Sequence, residues 1–170
     1  MEGGNELLAM ELVFENVLEP LSPPELAAVM SALIFERENS GDVVIQNAAL
    51  RKLVEKMETI VTRIYEVESA CGLDRDLDEE KKCIHSDFME VAYNWCKGLT
   101  FATVMSKTNL DEGFVVNQLL RTVAMIRKIG IVANEIGNPS LKYKCEEAEQ
   151  AMLRDIVFTP SLYLIEWCLC

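Results

Sequence analysis

The chain is poor in residues that break helices and in residues that do acid–base chemistry. Its 170 residues include only 8 glycines, 5 prolines and a single histidine, His85. So few breakers leave room for long regular elements. One histidine excludes multi-histidine metal sites and paired-histidine acid–base chemistry. There is no G-x-x-x-x-G-K-[ST] loop and no G-x-G-x-x-G turn, which excludes the common phosphate- and dinucleotide-binding loops. No stretch reaches the roughly 18 uninterrupted apolar residues of a membrane helix, so no membrane partner is expected. The cysteines, Cys71, Cys83, Cys96, Cys145, Cys168 and Cys170, form no C-x-x-C pair. Cys83 and His85 stand two positions apart, which on a helix turns them to different faces. No metal site and no cofactor is therefore expected in this chain. The opening residues do not read as a secretory leader, so free thiols in a reducing, intracellular compartment are expected, most of them as core filler.

What is present is an ordinary globular composition, 50% hydrophobic and 26% charged, at a length suited to one domain. The net charge is −12, from 28 acidic and 16 basic side chains. A domain this acidic repels a polyphosphate backbone at long range, so any RNA contact must rest on a few local residues.

Helical periodicity and stop signals divide the chain. Residues Met1 to Asn5 carry no structural signal and are expected to be disordered. Glu6 to Leu18 reads as a helix with Leu7, Met10 or Glu11, Phe14 and Val17 on one stripe. Ser22, Pro23 and Glu25 form a start signal, a capping serine and a first-turn proline with a glutamate reaching back. That helix runs to Phe35. Glu36 to Asp42 reads as a connection. Val43 to Ala70 reads as one long helix with Leu50, Leu53, Val54, Met57, Ile60, Val61, Ile64 and Val67 inward, stopped at Gly72. A charged stretch from Asp74 to Lys82 follows. Further helices are expected at Phe88 to Trp95, at Thr100 to Lys107, from Asp111 to about Ile136, and from a Ser140 cap to about Val157. No segment shows sustained two-residue alternation. The fold class is therefore all-α, a bundle of about six or seven helices with short connections.

The helix after Asp111 is the most informative. At 100° per residue, Val116, Leu119, Val123, Ile126 and Ala133 fall on one side and should face the bundle. Asn117, Arg121, Ala124 and Lys128 fall nearly in line on another, a narrow polar and basic edge. The short helix and turn before it also admit a helix-turn-helix reading. Its second helix begins Asp111-Glu112, acidic where a DNA reader would be basic, which excludes DNA as a partner.

Five blocks, in order, resemble a known family. They are LSPPELAAVMSALIFE over 21–36, MEVAYNWCKGLTF over 89–101, TNLDEG over 108–113, ANEIGN over 133–138, and RDIVF over 154–158 followed by SLYL over 161–164. Together they resemble the DSHCT domain, the C-terminal helical domain of superkiller-type and nuclear exosome-associated DExH-box RNA helicases. The resemblance implies a helical bundle over 6–164, with 165–170 as a short extension past the usual family end.

The resemblance also implies function. The parent helicases hydrolyse ATP, with Mg, on a RecA-like core and feed RNA toward the exosome. The bundle packs on that core and lines the RNA exit path. By motif alignment Arg121 matches an arginine that the family offers to the strand, with Asn117 and Lys128 beside it and Glu36 at an acidic position of the second helix. Asn117 and Leu120 stand where the family carries basic residues, which implies weakened RNA contact, and Pro160 replaces an alanine. The chain itself lacks the ATPase motifs and is expected not to be an enzyme. The expected partners are RNA, a RecA-like core and an exosome-associated complex, with a nuclear location ahead of a cytoplasmic one. The competing expectation is a structural, protein-docking bundle that has lost RNA contact, which the −12 charge favours. Trp95 and Phe101 lie in an apolar face and are read as core anchors.

Overall fold

The computed structural model describes residues 2–34, 45–73, 77, 81 and 84–158. Within them the chain forms α1 (Glu2–Phe14), α2 (Pro23–Ile34), α3 (Ala48–Ala70), a 3-10 turn (Ser86–Phe88), α4 (Met89–Cys96), α5 (Phe101–Met105), α6 (Glu112–Glu135), α7 (Pro139–Met152) and α8 (Asp155–Phe158). No strand occurs among the described residues, and the architecture is the expected all-α bundle.

α2 is the centre. Every residue from Leu26 to Leu33 is buried, because its sequence is apolar all round and small at Ala27, Ala28 and Ala32. Such a helix is stable only when neighbours surround it, and α4, α6 and α7 pack on it. Its single polar side chain there, Ser31, donates to the Ala28 carbonyl at 2.7 Å and so leaves no unmet polar group. The start signal holds: Glu25 accepts from the Ser22 backbone N–H at 2.8 Å and from its hydroxyl at 2.6 Å.

α6 and α7 form an antiparallel pair. Gly137, at φ 75°, turns the chain between them. Asn138 caps α7, accepting from the Leu141 N–H at 3.0 Å, with Pro139 in the first turn. The cap is thus Asn138 rather than the expected Ser140. The helices approach closely at Gly130, where an added Cβ would lie 3.3 Å from Cys145 Cβ.

Several expectations are corrected. α1 begins at Glu2, before the expected start at Glu6, and ends at Phe14, where Asn16 at φ 54° breaks it. A nucleated helix extends at little further cost, so a weak signal over 1–5 does not prevent it. α1 also buries Leu8, Ala9, Leu12 and Val13, while Leu7 and Phe14 face outward. The helix is apolar on two sides, so periodicity alone offers two answers. α3 starts at Ala48 rather than Val43, because Asn47 caps it, accepting from the Ala49 N–H at 2.9 Å. Glu90 of α4 fixes that start, accepting from the N–H groups of Gln46 and Asn47 at 2.6 and 2.9 Å. At its far end Val67 is exposed rather than inward. The expected connection over 36–42, the extension over 165–170 and most of the charged stretch over 74–82 lie outside the described residues.

A candidate RNA-facing edge on helix α6

α6 begins at Asp111, whose carboxylate accepts from the N–H groups of Gly113 and Phe114 at 2.9 and 3.3 Å. This is the cap the sequence signalled, and it sets the rotation of everything after it. Val115, Leu119, Thr122, Val123, Ile126, Ile129 and Ala133 then turn into the bundle. Val116, expected inward, is only half-buried, and Val115 takes the buried place. The wheel is rotated by less than one residue from the expected one, enough to move a residue at its border.

Asn117, Arg121, Ala124 and Lys128 are all exposed and share the outward edge. From Asn117 to Lys128 the edge runs about 16 Å at 1.5 Å per residue. Ile131 continues the same line, 60% exposed. Glu36, the remaining expected residue, lies outside the described residues. The edge is not electrostatically open along its length. Lys128 Nζ lies 4.0 Å from Glu6 of α1, with both side chains 69% exposed. A pair so well solvated contributes about 0–1 kcal/mol, so a competing anion displaces it readily.

Beyond the other side of the edge, α6 and α7 enclose an open groove of about 410 Å³, lined among others by Arg127, Ile131, Lys142 and Glu146. Its charges are matched internally. Arg127 donates to Glu149 at 2.7 Å, and Lys142 lies 3.9 Å from Glu146. Arg127 was absent from the sequence reading of the edge because its position falls just outside the stripe.

A second arginine makes several contacts and was not singled out from the sequence. Arg154 lies in the bend between α7 and α8. Its guanidinium stacks 3.6 Å above the buried Trp95 ring. One of its terminal nitrogens donates to the carbonyls of Trp95 and Leu99 at 2.7 and 2.6 Å, at the turn that follows α4, where the Trp95 carbonyl also accepts from the Gly98 N–H at 3.0 Å. The other meets Asp155 at 3.0 Å. Trp95 itself donates from Nε1 to the Met152 carbonyl at 2.9 Å and meets Phe101 edge-on at 5.9 Å. These contacts end α7 at Met152, short of the expected Val157, and place Asp155 at φ 47°. Trp95 is a core anchor, as expected, and Phe101 packs against the core at its edge.

Cys96 and Cys145 are buried thiols. Burial pushes them up to about 12 and about 11, so neither is a nucleophile. Among the described residues no group of three or more His, Cys, Asp or Glu is placed to hold a metal ion.

An all-α module wound round a central helix buried from Leu26 to Leu33 is the class this structure defines. The chain belongs to the DSHCT (NUC185) domain family, whose sequence model matches residues 1–159. It is 35% identical to human "Superkiller complex protein 2" over 159 residues, which is 94% of this chain and 13% of that protein. It is 32% identical to the Arabidopsis thaliana "DExH-box ATP-dependent RNA helicase DExH11", covering 96% of this chain and 12% of the relative. Human "Exosome RNA helicase MTR4" is 30% identical over 96% of this chain and 16% of its own length. The chain thus spans between an eighth and a sixth of these relatives, and corresponds to a domain of DExH-box RNA helicases.

Proposed function

We propose that this chain is the accessory domain of an ATP-dependent DExH-box RNA helicase. In this reading it packs on the RecA-like core and lines the RNA exit path during exosome-linked decay. Asn117, Arg121 and Lys128 contact the strand. The observation that carries the reading is their shared exposed line on α6, in a chain whose family is that of RNA helicases. An arginine suits such a path because it pairs with phosphate or stacks on a base without requiring a sequence. ATP and Mg belong to the core, and this chain is an accessory, not an enzyme in its own right. Exosome-associated proteins are the proposed wider partners. An intracellular location goes with that role. The proposed placement is nuclear, in company with the exosome-named MTR4 relatives, while the superkiller-type relatives share more identity.

The test places this segment in a full-length helicase of the family and crosslinks it to RNA. Arg121→Ala should reduce crosslinking several-fold and leave the melting temperature within a few degrees, since an exposed substitution changes stability by about 0.5 kcal/mol or less. Unchanged crosslinking with a large stability loss refutes the RNA role. The second reading, a docking bundle without RNA contact, is favoured by the net charge of −12 and by Glu6 occupying Lys128. It predicts no crosslink to α6 at all.

A further inference from the structure

α1 has two apolar faces. One carries Leu8, Ala9, Leu12 and Val13 into the bundle. The other carries Leu7, Met10 and Phe14 at i, i+3 and i+7, a ridge about 10 Å long. Leu7 is 41% and Phe14 60% exposed, and Met10 is half-buried. Scattered single apolar residues on a surface are ordinary, but a helix apolar on opposite sides belongs in an interior. The edges between the two faces are acidic. Glu6 lies on one edge, toward Lys128 of α6, and Glu11 and Glu15 lie on the other, where Arg63 of α3 meets them at 3.6 and 2.9 Å. α1 contains no lysine or arginine.

We propose that the outer face of α1 docks an amphipathic helix of another protein, whose apolar ridge rests on Leu7, Met10 and Phe14 and whose flanks carry lysine or arginine. Charge selects this occupant. A second copy would bring two acidic, cation-free helices together, each on a body of net charge −12. An anionic membrane surface meets the same repulsion, and a nucleic acid offers no apolar ridge. A helix with basic flanks suits both the ridge and the net negative charge, and its cations compete with Lys128 and Arg63 for the exposed Glu6, Glu11 and Glu15, in the helix-on-groove manner of peptide recognition. The surface is separate from Arg121, so its fate does not depend on the RNA reading.

The test uses a fluorescent peptide of about 18 residues, long enough for five helical turns, with leucines at i, i+3 and i+7 and lysines on both flanks. A matched peptide carries glutamates in place of the lysines. The lysine peptide should bind the chain, and Phe14→Ser and Leu7→Ser should each weaken binding about tenfold, as loss of a central anchor does. Tyr143→Ser, which removes an equally exposed aromatic on α7, should leave binding unchanged, and circular dichroism should show that all variants fold. The proposal is overturned if the lysine peptide does not bind, if the glutamate peptide binds as well, or if neither ridge variant weakens binding. It is also overturned if the wild type sediments as a dimer that Phe14→Ser dissolves, because the occupant is then a second copy.

Discussion

Arg154 shows how a charged side chain becomes part of a core. Its guanidinium is held by an aromatic face, two helix-end carbonyls and one carboxylate, and its side chain stays 24% exposed. Arg154→Ala removes charge-assisted hydrogen bonds and leaves the Trp95 and Leu99 carbonyls without that partner. The expected loss is about 2–4 kcal/mol, read as a lower urea midpoint. Arg154→Lys should recover little of it, since an ammonium neither spans both carbonyls nor stacks on the ring. Recovery by lysine would mean that charge alone matters there. The buried thiols act through pH. Cys96 and Cys145 hold their protons to about 12 and about 11, while an unfolded thiol ionises near 8.5. Their folded values are raised, so their contribution is complete below the unfolded value and is lost as pH climbs above it. The urea midpoint should therefore fall between pH 8 and pH 10.5, and Cys96→Ala with Cys145→Ala should flatten that fall. At pH 8, alkylation followed by mass mapping should mark exposed Cys71 and spare both buried thiols.

Helix boundaries were legible at one cap and at the positive-φ glycines, while the Asn47 and Asn138 caps were missed. Asp111, Gly72, Gly98 and Gly137 all do in the structure what their residue types announce. Asp111→Ala should cost about 1 kcal/mol by freeing the first N–H groups of α6. Asp111→Asn, which keeps an accepting oxygen, should cost less, and thermal melts of the two variants check the difference. A larger loss in the asparagine variant would mean that the carboxylate charge, not the cap bond, is what counts. Boundaries set by distant parts of the fold were not legible. The end of α7 depends on Trp95, 57 positions away, whose Nε1 donates to the Met152 carbonyl. The start of α3 depends on Glu90, 44 and 43 positions from the groups it holds. The face of α1 was misread for a different reason. Leu7 and Phe14 obey the helical period as well as Leu8 and Leu12 do, and only the neighbours decide between them. On α6 the apolar face is single, so Asn117, Arg121 and Lys128 were placed outward correctly while only the border residue Val116 moved.

At the scale of the whole molecule, the proposed RNA contact requires a chain of net charge −12 to meet a polyanion. The mean field opposes approach, and the α6 edge must act within a Debye length, about 10 Å at 0.1 M salt. Arg121 and Lys128 are the two cations on that edge, and Lys128 first has to leave Glu6. Two phosphate contacts on a single strand release about 0.7 counterion each. The chain's affinity for a labelled oligouridine, measured by anisotropy, should therefore fall with salt at a log–log slope of about −1.4. Arg121→Ala should reduce the slope to about −0.7, and Arg121→Ala with Lys128→Ala should bring it close to zero. Glu6→Gln should tighten binding and leave the slope unchanged, because it removes a competitor without adding a phosphate contact. A slope indifferent to Arg121 would assign the binding to some other surface, and α6 would then be a solvated helix edge in a docking domain.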